Sequence, residues 1–132
     1  MLRTKSIFDE ISEEDGVRLS VMSRHTLNDG ITQDTRIIPN VTYDEHLVVL
    51  APPSRLVGLW YRKQIDWAAF AREYLEYLNR PEPDRAVREL AERALRRDIT
   101  LLCAEPRGEN CHRVLLAQRC KELQPGLELR HL

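Results

Sequence analysis

The chain has 132 residues, of which 31% are charged and 42% hydrophobic, and its formal net charge at pH 7 is −1. That length suits one domain with a substantial hydrophobic core. The near-neutral charge excludes the broad positive field of a general nucleic-acid-binding protein, and no apolar run approaches the ~20 residues that cross a bilayer. We therefore predict a single domain over residues 1–132, with neither nucleic acid nor a membrane as a partner.

The cysteines indicate a reducing compartment. Cys103, Cys111 and Cys120 are odd in number and unevenly spaced, which is typical of free thiols rather than of a disulfide framework. The beginning of the chain, Met1-Leu-Arg-Thr-Lys, carries no apolar segment of the kind that secretory signal peptides contain. We therefore expect a cytoplasmic protein.

The N-terminal part of the chain is predicted to be extended. Val17, Leu19 and Val21 alternate with more polar residues, and this period of two indicates a half-buried strand. Asp15-Gly16 supplies a turn before it. Residues 7–11 are expected to form either a partner strand or an extended lead-in.

Residues 23–46 form a long polar segment with no sustained helical or strand period. Loops of this length are functional or mobile, or they contain short elements. Arg24 is the candidate binding residue of this segment, which also carries other side chains that can reach a site: His25, Arg36, Asp44 and His46. The alternative is an ordinary solvated surface loop.

Three helices are predicted between residues 52 and 97, after an apolar segment at 47–50 that is either a short strand or an apolar plug. Ser54 is expected to cap the first helix, Asp66 the second and Asp84 the third. The second helix carries aromatic and aliphatic side chains on one face. We interpret this stripe as core packing rather than as a platform that stacks bases.

The C-terminal part is predicted to form a strand, a helix and a second strand. Ile99–Cys103 is a short apolar run that a polar loop stops, and Asn110 is a suitable N-cap for a helix that starts near Cys111. Alternation over residues 127–131 indicates the second strand. Because a βαβ unit makes its two strands parallel, we predict a three-layer α/β fold with a mixed or mostly parallel sheet and flanking helices.

The start of that last helix carries most of the reactive groups. Cys111, His112 and Arg113 fall on its first turn, where backbone N–H groups without partners and the helix dipole attract anions. A thiolate is stabilised in the same place. Cys111 is therefore the candidate nucleophile with His112 in support, and Arg113 and Asn110 are the candidate anion-binding residues.

Two further residues of the loop belong to the predicted catalytic group. Cys103 lies at the carboxyl end of the strand, where open α/β sheets form their ligand sites. Glu105 is placed to orient His112 or Arg113 across the loop. If the loop folds its ends together, Cys103 and Cys111 also come within disulfide range. The alternative is that both thiols are small buried hydrophobic groups.

A metal site built from Cys103, Cys111 and His112 is the rival interpretation. The eight-residue offset between the cysteines matches none of the usual ligand spacings, which favour C-x₂₋₄-C pairs. Cys120 faces about 180° away from Cys111 on a helix, which places it in the core. The sequence therefore favours no metal ligand and no cofactor.

Four ordered motifs resemble the YeaO-like branch of DUF488, an uncharacterised domain-of-unknown-function group. They are Asp15-Gly-Val-Arg-Leu19, Ala51-Pro-Pro-Ser54 followed by Leu56 and Trp60, the segment from Trp67 to Leu78, and Ile99-Thr-Leu-Leu-Cys-Ala-Glu105 with Cys111-His-Arg113. YeaO-like members commonly follow the first strand with Asp-Arg and Trp-Pro-Arg-Gly, of which residues 21–26 keep only an Arg. The resemblance implies an α/β domain and names no reaction.

These features favour a phosphate- or nucleotide-type anion site at the start of the helix, in a thiol-dependent enzyme with Cys111 as the reactive thiol. The expected partner is a small phosphorylated or nucleotide ligand. The alternative is a noncatalytic binding or interaction protein. In that case the Cys-His-Arg turn is structural, and Arg113 ties the loop to a carboxylate.

Overall fold

A five-stranded parallel sheet forms the centre of the computed structural model, which describes residues 1–132. Its strands are β1 (Leu2–Ser6), β2 (Val17–Ser20), β3 (Glu45–His46), β4 (Ile99–Cys103) and β5 (Leu129–His131). The strand order is β3-β2-β4-β1-β5, and every neighbouring pair is parallel. The predicted α/β class is confirmed.

Helices cover one face of this sheet: α1 (Ser54–Tyr61), α2 (Trp67–Leu78), α3 (Pro81–Arg96) and α4 (His112–Leu123). Their buried side chains join one cluster with alternate residues of the strands: Leu2, Leu19, Ile99 and Leu101. These strand residues share a face because side-chain direction alternates along a strand. Cys120 and the aromatic side chain of Tyr74 are fully buried in the same cluster, so the predicted core role of Cys120 is confirmed. The predicted core role of the α2 stripe holds for Phe70, Tyr74 and Leu78, whereas Leu75 is exposed. None of the four helices combines the length and the apolar character that spanning a bilayer requires.

The opposite face of the sheet carries polar side chains and is covered by loop segments. Lys5 and Arg18 both form ion pairs with the buried carboxylate of Asp15, which lies in a short 3-10 turn. The hydroxyl of Thr100 donates to the carbonyl of Asp15 at 2.7 Å. The carbonyl of Thr42, in the long loop, accepts a hydrogen bond from Arg18 at 2.9 Å. The three layers are therefore helices, sheet and loop segments.

The predicted C-terminal βαβ unit consists of β4, α4 and β5. The two strands are parallel but not adjacent, because β1 lies between them and pairs with both. The carboxyl ends of β1, β2 and β4 thus lie side by side at one edge of the sheet, next to the start of α4.

The sequence prediction missed β1. Arg3 and Lys5 break the apolar pattern of Leu2–Ser6, yet both are buried, because Asp98 lies 3.3 Å from Arg3 and Asp15 lies 3.1 Å from Lys5. The predicted extended segment at 7–11 begins instead with a turn. The expectation of a half-buried β2 was also wrong, because the loop layer buries its second face.

Asp66 caps α2 as predicted, whereas two other helix starts differ from the prediction. Ser54 is the first residue of α1 rather than its cap. The helix α3 begins at Pro81, three residues before the predicted cap Asp84, since proline suits the first helical position. Within the apolar segment at 47–50, Val48–Leu50 is a 3-10 turn, and the strand β3 precedes it.

Candidate functional site

Four predicted side chains meet at the carboxyl edge of the sheet. Cys103 ends β4 and Cys111 precedes α4, and their Sγ atoms lie 3.1 and 3.2 Å from the same carboxylate oxygen, Oε2 of Glu105. Nδ1 of His112 lies 3.9 Å from each sulfur. The two sulfurs and a ring nitrogen of His112 all lie within 4.8 Å of one another. We call these four residues the Cys-Glu-His cluster.

The loop 104–110 folds so that the two cysteines face each other. Gly108 has a φ of 88°, a left-handed conformation that glycine adopts without strain. At the start of the loop, the hydroxyl of Ser6 donates to the carbonyl of Ala104 at 3.2 Å. At its end, Cys111 is the N-cap of α4, and its thiol makes no capping bond. The predicted cap was Asn110, which instead lies exposed in the loop.

The imidazole of His112 is fixed by a neighbouring strand. Its Nε2 lies 2.7 Å from the carbonyl oxygen of Val21, the residue after β2. Because a carbonyl only accepts, Nε2 carries a proton and donates it. The ring of Tyr74 contacts the imidazole edge-on, with centroids 5.4 Å apart. Nδ1 is therefore the nitrogen that faces the thiols.

Glu105 has a different role from the predicted one. The carboxylate was expected to orient His112 or Arg113, but its hydrogen bonds come from the thiols of Cys103 and Cys111. A carboxylate oxygen can accept two donors at once. Glu105 therefore links the end of β4 to the start of α4 through the two sulfurs.

The members of the cluster change one another's ionisation. The neighbouring thiol of Cys111 and burial raise the pKa of Cys103. Burial opposes the ionisation of Cys111, but the neighbouring thiol of Cys103 and the charges of His112 and Arg113 outweigh it and lower the pKa of Cys111. Burial and the charge of Cys111 raise the pKa of Glu105. Burial also opposes protonation of His112, but the charge of Cys111 outweighs it and raises the pKa of His112.

A cavity of about 790 Å³ opens beside the cluster and is lined by all four of its residues. The long loop 23–46 and the helices α1 and α2 supply most of the remaining lining. Two of the predicted binding residues, Arg24 and Asn110, line this cavity. Arg24 is exposed, and its Nη1 donates to the carbonyl of Gly30 at 3.2 Å.

Sequence reasoning missed the aromatic wall of this cavity, which consists of Phe8, Trp60, Tyr61, Trp67 and Phe70. The rings of Trp67 and Phe70 stack with their centroids 5.1 Å apart. Tyr61 is 56% exposed, and partial desolvation and the charge of Glu105 raise its pKa to about 12. The apolar spacing along α2 did not indicate that its aromatic residues line a cavity, because core packing produces the same spacing.

Arg113 lies outside the cavity lining. Its side chain is buried, its Nη2 contacts the carbonyl of Pro106 at 3.5 Å, and its Nε and Nη1 have no hydrogen-bond partner. It forms no ion pair with a carboxylate, so the predicted tie to one is not present. Arg113 therefore does not share the cavity with Arg24 and Asn110, the two other predicted anion-binding residues.

Comparison with known proteins gives one match. The family model described as the active DUF488-N3 subclade matches residues 2–124. Neither the curated proteins nor the solved structures contain a match to this chain. The matched range spans all the motifs that carried the resemblance, and the YeaO-like branch is compatible with it. The chain belongs to the DUF488 family.

Proposed function

We propose that the protein is a thiol-dependent enzyme that acts on a small anionic substrate of the phosphate or nucleotide class. The observation that carries this proposal is that the Cys-Glu-His cluster and the exposed Arg24 line the same cavity. A cytoplasmic location is part of the proposal, because all three cysteines are free thiols and a reducing compartment keeps them so.

Three arginines line the cavity, Arg24, Arg36 and Arg62, and we assign the anion to Arg24. Arg36 also lines the cavity, but two of its nitrogens already bind the carboxylate of Asp34, at 2.7 and 3.0 Å. Arg24 contacts only a carbonyl, so its remaining donors are available to phosphate oxygens. In the aromatic wall, Trp60 is partly exposed and Tyr61 is 56% exposed, so these two rings are accessible to a base, which favours a nucleotide among phosphate-bearing ligands.

The chemistry depends on the two thiols of the cluster. A thiolate can attack a substrate directly or coordinate a metal ion, and both uses need Cys103 or Cys111 beside the bound substrate. The cluster lies where the strands β1, β2 and β4 end, which is the usual place for ligand sites in parallel sheets.

A noncatalytic binding protein is the second candidate, and one observation favours it. The side chains of Cys103 and Cys111 are only 5% and 3% exposed, as expected of thiols that serve packing. In that case the cavity binds its ligand without contact to the cluster.

Binding of the anion is tested by calorimetry with inorganic phosphate, AMP and adenosine. We expect AMP to bind, adenosine to bind more weakly, and Arg24→Gln to weaken AMP binding at least about tenfold, because a hydrogen bond to a charged group contributes about 1.5–3 kcal/mol. Arg85→Gln is the matched control, since Arg85 is exposed on α3 and does not line the cavity. Equal affinities of both variants for AMP would remove the proposed anion site.

Contact between ligand and cluster is tested by alkylation. Saturating AMP should slow the labelling of Cys103 and Cys111 by iodoacetamide and leave that of Cys120 unchanged. The noncatalytic alternative predicts AMP binding without this protection. Peptide mass spectrometry distinguishes the two outcomes.

A further inference from the structure

We propose that the Cys-Glu-His cluster is a zinc site, with Cys103, Cys111 and His112 as ligands and Glu105 at the fourth position. The inference deepens the proposed function, on which it rests for its location beside the substrate. The spacing of Cys103, Cys111 and His112 in the sequence had argued against a metal site at these residues.

The distances suit a tetrahedral ion. Zinc binds thiolate sulfur at about 2.3 Å and imidazole nitrogen at about 2.0–2.1 Å, which places the ligand atoms of a tetrahedral site about 3.5–3.8 Å from one another. Nδ1 of His112 lies 3.9 Å from both sulfurs, and the ligand atoms of all three residues lie within 4.8 Å of one another. The separations are at most 4.8 Å, so movements of no more than about 1 Å complete the site.

The orientation of His112 is that of a metal ligand. Metal-binding histidines donate the N–H of one ring nitrogen to a carbonyl or carboxylate, which leaves the lone pair of the other for the metal. Nε2 of His112 donates to the carbonyl of Val21 at 2.7 Å. In the neutral ring the lone pair is then on Nδ1, the atom that faces the sulfurs.

Glu105 supplies the fourth donor and a route to the substrate. Its Oε2 lies 3.1 and 3.2 Å from the two sulfurs, where it accepts the thiol protons that a metal ion would replace. Glu105 also lines the cavity, as do the three other residues. A carboxylate at this position can be displaced by a substrate oxygen, which gives the open coordination position that catalytic zinc sites keep.

Charge and ligand type select the ion. Two thiolates and one carboxylate carry three negative charges in a site whose thiols and imidazole are buried, and a divalent cation offsets two of them. Thiolate and imidazole ligands favour zinc over magnesium or calcium, which prefer oxygen. Binding of one Zn²⁺ releases the two thiol protons to solvent, with no change of oxidation state.

The test measures metal content and the spectrum of the cobalt-substituted protein. The full chain is purified with zinc and then dialysed. Inductively coupled plasma mass spectrometry should then find one zinc ion per chain. Replacement by Co²⁺ should give thiolate-to-cobalt charge-transfer absorption in the near ultraviolet and the intense visible bands of a tetrahedral site. A chain that takes up no stoichiometric zinc, or a cobalt spectrum typical of octahedral oxygen ligands, would overturn the proposal.

Variants identify the ligands. Cys103→Ser and Cys111→Ser should each weaken zinc binding more than a hundredfold, beyond the about 10–100-fold effect of losing an outer-shell partner. Cys120→Ala is the matched control, because Cys120 lies in the helical core away from the cluster, and it should keep one zinc ion. Loss of zinc from Cys120→Ala while it remains folded by circular dichroism, or zinc retention by both serine variants, would contradict the assignment.

The metal site and the proposed function can fail separately. AMP binding that depends on Arg24, in a chain that binds no zinc, would leave the anion site intact and remove the metal. One zinc ion per chain without AMP binding would support the metal site and remove the anion site.

Discussion

The imidazole of His112 and the backbone carbonyl of Val21 are joined by a buried hydrogen bond of 2.7 Å. This bond connects the first turn of α4 to the chain segment that follows β2. Because it fixes the ring, it decides which nitrogen faces the thiols of the Cys-Glu-His cluster.

His112→Ala should destabilise the protein more than His112→Gln. Alanine leaves the buried carbonyl of Val21 without a donor, which costs about 1–3 kcal/mol, and it leaves a cavity against Tyr74 as well. Glutamine carries an amide N–H that can replace the bond from Nε2. Urea denaturation of both variants checks the order, and equal losses of unfolding free energy would show that the bond contributes nothing.

The general fold could be predicted because local periodicity dictates much of it. The apolar stripe of α2 and the apolar run of β4 predicted the positions of both elements in the chain. The strand β1 could not be found, since Arg3 and Lys5 are buried only through carboxylates at positions 98 and 15. Ion pairs between residues that are distant in the chain cannot be recognised from a short stretch of sequence.

The members of the site were predictable and their arrangement was not. Cys103 and Cys111 were singled out from residue type and position at the two ends of a loop. Their approach to one carboxylate oxygen depends on how the loop 104–110 folds against β1, and the orientation of His112 depends on a carbonyl 91 residues away. The spacing rules for metal ligands describe short C-x₂₋₄-C pairs and do not cover two cysteines at the ends of a longer loop.

Arg113→Met should raise the free energy of unfolding by about 1–3 kcal/mol. The buried guanidinium has two nitrogens without partners, and burying polar groups without hydrogen bonds is unfavourable by about this amount. Methionine keeps most of the apolar stem. Arg119→Met, at a partly exposed position of the same helix, should change stability by no more than about 0.5 kcal/mol.

The same variant, Arg113→Met, tests whether Arg113 affects the stability of the fold or the binding of AMP. Because Arg113 does not line the cavity, Arg113→Met should bind AMP with wild-type affinity. Weakened AMP binding with little loss of stability would instead indicate that the guanidinium holds the anion, as the sequence alone had suggested. Thermal denaturation and calorimetry on one preparation provide both measurements.

Cys103 and Cys111 should form a disulfide in metal-free protein treated with oxidised glutathione. Their sulfurs lie within 4.8 Å of each other, and rotation of the side chains must bring them to the bonding distance of about 2.05 Å. The two thiols lose two protons and two electrons, and the glutathione disulfide is reduced to two thiols.

Mass spectrometry of the oxidised protein checks the pairing. The Cys103–Cys111 peptide should appear, and Cys120 should stay a free thiol because it is fully buried in the helical core. Bound zinc should prevent the reaction by holding both sulfurs. Mixed disulfides with glutathione at both positions, without the internal bond, would show that the cluster cannot close.

Asp15→Asn should destabilise the protein by about 3–5 kcal/mol at pH 7, because it removes the only buried carboxylate beside Lys5 and Arg18 and leaves two buried cations unneutralised. Glu92→Gln is the control, since the side chains of Glu92 and its partner Arg96 are 60% and 78% exposed and exposed pairs contribute at most about 1 kcal/mol.

The difference in unfolding free energy between wild type and Asp15→Asn should disappear in acid. Burial raises the pKa of Asp15, but hydrogen bonds from the backbone of Ser12, from Lys5 and from Arg18 outweigh burial and lower it below the ordinary value. A carboxyl group whose pKa is lowered by folding contributes stability that is complete above its unfolded pKa of about 3.9 and is lost as the pH falls through the folded value. Urea titrations should therefore give a constant difference between wild type and Asp15→Asn from pH 7 to 5 and a shrinking one below pH 4. A difference that stays the same at pH 2.5 would mean that the variant acts through packing rather than through the charge of Asp15.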